Sequence, residues 1–181
     1  MEYVSMGWVS ERHTKLGNFL ANELFNQIRK NVFDEKYFFS QGTTRLVYDG
    51  ERYSGFERLV DVAKIADVAA FAADGIYTLH SVEPDVMLFV ENPYLKNRHG
   101  SYLAGCPDLV IEIWSESNSL EERNFKHRLY ATSPATEHWY LAQDSEIIER
   151  WLGNNPLPTA TLREKMHTQQ GLTIDISDIK L

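Results

Sequence analysis

The chain has 181 residues, 43% hydrophobic and 12% aromatic, which suits one domain built around one buried core over residues 1–181. A formal net charge of -8 excludes a surface that is basic overall. Any contact with a phosphate backbone must then be local, and Lys96, Arg98 and His99, followed by Arg123, Lys126, His127 and Arg128, are the basic clusters that could make it. The single cysteine, Cys106, excludes an internal disulfide and a cysteine-built metal cage; with no leader pattern and no apolar run near the ~20 residues of a bilayer span, a soluble cytoplasmic protein is expected, with no membrane partner.

From Ser10, the recurrence of Leu16, Leu20, Leu24 and Ile28 predicts a helix lying on the core, with Ser10 as its cap and Glu23 close enough to the apolar stripe to turn towards a polar site. Residues 43–53 read as a hairpin turning at Asp49-Gly50. The alanine-rich stretch from Gly55 to Ala73 has apolar residues at helical spacing and is expected to be a second helix. Two short apolar runs, Val86 to Val90 and Leu109 to Trp114, each follow a Pro-Asp pair and are too short for typical helices. They read as buried strands paired in one sheet.

Ser119 and Glu122 have the spacing of a capping box, opening a helix on which Phe125 and Leu129 supply the apolar stripe. Lys126 and Tyr130, four apart, are neighbours on another face of it. Strands are expected over 138–143 and 146–152, then a loop through Asn154, Asn155, Pro156 and Pro158. A last pair of short segments turns at Gln170-Gly171.

Alternation along Leu109 to Trp114 puts Leu109, Ile111 and Ile113 on one face and Asp108, Val110, Glu112 and Trp114 on the other. A carboxylate inside so apolar a strand costs several kcal/mol of desolvation unless a cation or hydrogen bonds compensate it, so Glu112 requires a partner. Oxygen ligands of this kind suit Mg²⁺ or Mn²⁺, which could activate water against a phosphodiester, with a nearby lysine adding positive charge; a buried ion pair with an arginine is the competing explanation. Taken alone, Asp85 and Asp108 each read more often as turn-capping residues, and Lys126 more often as a solvated helix lysine. His13, His127 and His138 show no paired-ligand spacing and are expected at the surface or at edges.

The string Pro107-Asp108-Leu109-Val110-Ile111-Glu112-Ile113-Trp114-Ser115, then Lys126, Tyr130 and Glu137-His138-Trp139-Tyr140-Leu141, resembles the Uma2 family, formerly DUF820, of restriction-endonuclease-like proteins. The match runs from residue 84 to 152, with a further counterpart in Gly171-Leu172-Thr173-Ile174-Asp175-Ile176, and His13 also fits. The resemblance implies a PD-(D/E)XK nuclease fold, an α/β (α+β) architecture with a mixed central sheet flanked by helices. It implies a divalent metal, Mg²⁺ or Mn²⁺, on Asp85 and Glu112, with Asp108 as a further acidic member. The ordinary motif has a lysine two residues after the glutamate, where this chain has Trp114; similar proteins take it from the following helix, which points to Lys126.

Asp85, Asp108, Glu112 and Lys126 are thus the expected catalytic residues of a metal-dependent endonuclease acting on DNA, and by analogy with paired nucleases a homodimer. The rival expectation is a catalytically inactive nuclease fold kept for binding or assembly. A third is a metal-free hydrolase using Asp108 and Glu112 as an acid and base pair, as glycosidases do.

Overall fold

The computed structural model describes residues 10–31, 38–40, 44–49, 58–61, 79–91, 94–97, 100–103, 107–131 and 133–179. In chain order the elements are α1 (Glu11–Lys30), β1 (Phe38–Ser40), β2 (Thr44–Asp49), β3 (Arg58–Asp61), β4 (Leu79–Val82), β5 (Val86–Leu88), β6 (Tyr94–Asn97) and β7 (Gly100–Leu103). There follow β8 (Leu109–Trp114), α2 (Leu120–Ala131), β9 (Glu137–Ala142), β10 (Ile147–Leu152), β11 (Asn155–Thr161), β12 (Met166–His167) and β13 (Thr173–Ile174).

α1 begins where expected, because the Ser10 side chain accepts a hydrogen bond from the His13 backbone N–H and satisfies one of the helix's orphan donors. Its buried stripe runs His13, Leu16, Gly17, Leu20, Leu24 and Ile28. α2 uses half of its capping box: Ser119 Oγ accepts from the Glu122 N–H, while the Glu122 carboxylate accepts from Asn118 instead of reaching back to residue 119.

The central sheet has six strands in the order β1-β5-β8-β9-β10-β11. All neighbours are antiparallel except β8 and β9, which are parallel. A parallel pair needs a crossover long enough to return the chain, and α2 supplies it. The alternation of β8 is realised: Leu109, Ile111 and Ile113 join the core under α1 with Trp139 and Leu141, and Val110 and Trp114 join Leu129, Tyr130 and Tyr140 under α2. The result is the expected mixed sheet flanked by helices.

A second, antiparallel sheet has the order β4-β2-β3-β7-β6, and its presence corrects one expectation. β2 pairs with β3, Val47 opposite Arg58, and with β4 on its other side, while Gly50 of the turn expected at Asp49-Gly50 and the strand expected after it fall at residues 50–57, outside the described ones. Residues 58–61, assigned above to an alanine-rich helix, form a strand paired on both sides, and 62–78 lie outside the described residues. Ladder bonds to two neighbours outweigh the weak preference of one segment for helix.

Of the stretch read as a loop, Asn154 is in a turn, and Asn155, Pro156 and Pro158 instead belong to the start of β11. It lies at the edge of the sheet, where Pro156 and Pro158 need not donate to a further neighbour. The turn at Gln170-Gly171 is found between β12 and β13, with Gly171 at φ 80°. Cys106 lies outside the described residues, as do Arg98 and His99.

Candidate active site

The register of β5 on β8 builds the site. Val86 faces Ile111, so Asp85, one residue before β5, comes opposite Glu112. Asp85 Oδ2 accepts the Ile113 N–H at 2.7 Å, which anchors its carboxylate beside β8. His13 Nε2, from the start of α1, lies 3.6 Å from the same oxygen.

Glu112 is buried and answered from α2. Lys126 Nζ donates to Oε2 at 3.0 Å and Tyr130 Oη donates to Oε1 in a short hydrogen bond. The spacing of four puts the two donors on one face of α2 and over a single carboxylate. Glu122 Oε1 stands 3.8 Å from Lys126 Nζ, and the ammonium lies 5.4 Å from the centre of the Trp114 ring, which stacks on Tyr140.

Burial raises the Glu112 carboxyl to about 7, against the pull of the Lys126 charge, with the nearby Asp85 charge adding to the rise. Burial opposes the Lys126 ammonium, yet the Glu112, Asp85 and Glu122 carboxylates hold it above the ordinary lysine range. The Tyr130 phenol is held well above its usual range, first by burial and then by Glu112. The contact with Asp85 holds His13 above the ordinary imidazole range despite its burial.

Asp85, Glu112 and Lys126 are thus brought together; Asp108 is not. Its Oδ2 accepts the Val90 N–H at 2.7 Å, the turn-capping use that a Pro-Asp pair allows, and burial raises its carboxyl. Four strand steps separate it from Glu112, roughly 13 Å along β8. That exceeds the roughly 5–9.5 Å between carboxyl groups in sugar-hydrolysing pairs, so the metal-free acid and base pair has no geometric support. Glu23 does not approach the site either: it accepts from Gln27 and lines an open groove with Phe19, Asn22 and Asn26 of α1 and with Asp175 and Asp178.

Lys126 is mostly covered, not a solvated helix lysine, and the partner of Glu112 is this lysine instead of an arginine. The histidines correct the expectation of surface positions most clearly. His13 and His138 are buried and His127 is half-buried. The signal for His13 was present in the sequence, since it continues the Leu16, Leu20, Leu24 stripe by one turn.

His138 bridges two acceptable partners within the core. Its Nε2 is 2.8 Å from the Gly153 carbonyl, which can only accept, so Nε2 carries the proton and Nδ1 accepts from Tyr140 Oη at 2.8 Å. Burial pushes this imidazole down to about 4, from an ordinary 6.5. As pH falls below the ordinary value the unfolded chain takes up a proton that the folded chain refuses, so stability is lost from about pH 6.5 down to about 4, at about 1.4 kcal/mol per pH unit. Urea midpoints measured from pH 7 to 5 should fall more steeply for the wild type than for His138→Gln; equal slopes would contradict this.

Oxygen-only carboxylates facing each other across two strands suit Mg²⁺ or Mn²⁺, which take one or two carboxylates and retain waters. Asp85 and Glu112 are the two carboxylates here that could meet that demand. Among the described residues no group of three or more His, Cys, Asp or Glu side chains is placed to hold a metal ion.

A mixed sheet flanked by helices, with Asp85 just before β5, Glu112 on the neighbouring β8 and Lys126 beside it, is consistent with a nuclease-like fold. The chain belongs to the Uma2 family, whose model, described as "Putative restriction endonuclease", matches residues 56–177. Among solved structures it is similar to that of "a putative nuclease belonging to DUF820" from Anabaena variabilis, at 12% identity over 93% of this chain and 82% of that one, with a TM-score of 0.55. That likeness bears on the fold. No curated protein matches the chain. Among the described residues no helix is long and apolar enough to cross a membrane.

Proposed function

We propose that the protein is a nuclease that hydrolyses phosphodiester bonds of DNA with Mg²⁺ or Mn²⁺ held by Asp85 and Glu112. The observation that carries this reading is the Asp85 and Glu112 pair across β5 and β8, with the Lys126 ammonium 3.0 Å from Glu112. An ion held by these two carboxylates would supply Lewis-acid chemistry, activating water and offsetting charge at the phosphate. Lys126 contributes a fixed positive charge already oriented by Glu112 and Glu122, which needs little reorganisation as the substrate's charge develops. Tyr130 fixes the rotation of the Glu112 carboxylate, and the stacked Trp114 and Tyr140 rings shield that side from solvent. Asp108 is left to its bond with Val90. A homodimer would bring two such sites to the two strands of a duplex.

One observation favours a second reading, a nuclease fold without turnover: both Glu112 oxygens are already engaged, by Lys126 and Tyr130. The two readings separate in a nicking assay on supercoiled plasmid with Mg²⁺ or Mn²⁺, run alongside calorimetric metal titration. The first predicts nicking that EDTA stops and that falls by about 100-fold or more in Lys126→Ala, the scale of losing one preorganised charge. Metal binding without nicking in the wild type supports the second, and no metal binding contradicts the site as drawn.

A further inference from the structure

The start of α1 is tied to the site more firmly than a covering helix requires. Ser10, its cap, pairs through Oγ with Gln143 Oε1 in a short hydrogen bond, and the Gln143 N–H donates to the Trp114 carbonyl at 2.8 Å. The end of β8, the residue after β9 and the first turn of α1 are thereby locked together. In this frame His13 occupies the first place of a stripe whose next members are Leu16, Gly17, Leu20, Leu24 and Ile28. A histidine in that place gives up hydration that a leucine would not. It meets Asp85 Oδ2, 3.6 Å from Nε2, the same oxygen that takes the Ile113 N–H at 2.7 Å, and its ring also hydrogen-bonds to the Ile113 backbone.

We infer that His13 is a positioning residue for the metal site: with the Ile113 N–H it fixes the rotation of the Asp85 carboxylate so that Asp85 faces the ion beside Glu112. The inference rests on the reading of Asp85 and Glu112 as metal ligands. Two constraints from different elements, one from the β8 backbone and one from α1, converge on one oxygen of a ligand that stands just outside its strand. A ligand held in this way loses no rotational freedom when the ion arrives, and residues behind a ligand typically contribute about 10–100-fold in metal affinity. A purely structural histidine in this stripe would instead be replaceable by an apolar side chain of similar bulk.

That contrast sets the test: calorimetric titration of Mn²⁺ into the full chain as wild type, His13→Leu and His13→Gln, with a thermal melt of each. His13→Leu keeps the stripe apolar and should melt no earlier than the wild type, yet bind Mn²⁺ about 10–100-fold more weakly; His13→Gln, which keeps a side-chain N–H donor, should recover most of that loss. If His13→Leu binds Mn²⁺ as tightly as the wild type, the inference is overturned while the metal site stands. If the wild type itself fails to bind Mn²⁺, the metal-site reading falls and takes the inference with it.

Discussion

Glu112→Gln should weaken Mn²⁺ binding by more than about 100-fold, beyond the loss typical of a residue that only supports a ligand, and should abolish nicking. The amide oxygen can still accept from Lys126 and the amide nitrogen can still meet the Tyr130 hydroxyl, so both hydrogen bonds to α2 have replacements. What is lost is the negative charge, in a pocket where Asp85 and Glu122 remain to balance Lys126. The variant should therefore keep a cooperative melt. Its calorimetric isotherm and plasmid assay then report on the metal site alone; near-wild-type binding would mean that the ion, if any, sits elsewhere.

The second large effect is expected at a different buried glutamate. Glu137, at the start of β9, has a side chain as inaccessible as that of Glu112, but its oxygens accept from Trp139 Nε1 at 2.7 Å, Arg150 Nη2 at 3.0 Å and the Gln169 N–H at 2.6 Å. Arg150 also lies over the Trp139 ring, 4.9 Å from its centre. Removing the carboxylate leaves a mostly covered guanidinium without its counter-charge, though Nη2 still donates to the His167 carbonyl, and leaves two further donors unmet, so Glu137→Ala should cost about 3–5 kcal/mol, the usual result of breaking a buried ion pair from one side. Urea denaturation at pH 7 measures this directly. A loss under about 1 kcal/mol would show that the network relaxes onto water.

These two glutamates show where the sequence becomes unreadable. Glu112 stands among apolar neighbours in Leu109 to Trp114, so desolvation alone demands a partner for it, whereas Glu137 lies between Thr136 and His138 and its burial has no such signal. Which partner arrives depends on contacts far along the chain: Lys126 and Tyr130 for Glu112, Arg150 and residue 169 for Glu137. Local rules carried the faces of β8, the cap at Ser10, the α2 spacing of Lys126 and Tyr130 and the turn at Gln170-Gly171, because each depends on residues within about one helical turn or one strand period.

The same limit separates the two Pro-Asp aspartates. Asp85 and Asp108 look alike in sequence, and only the register of β5 on β8 brings one opposite Glu112 and leaves the other capping Val90. The shift of 58–61 from helix to strand has a similar origin, since ladder partners on both sides cannot be read from the segment itself. The resemblance to Uma2 proteins supplied the family and the move of the lysine to α2. The geometry adds that Tyr130 shares Glu112 with that lysine and that His13 stands behind Asp85.

The most direct test of the metal-site account is a crystal structure of the protein soaked in Mn²⁺, with anomalous scattering used to locate the ion. The account predicts a peak between Asp85 and Glu112, in reach of an oxygen from each, with Lys126 still beside it. A fully occupied peak at Asp108, or none between Asp85 and Glu112 at saturating Mn²⁺, would contradict it.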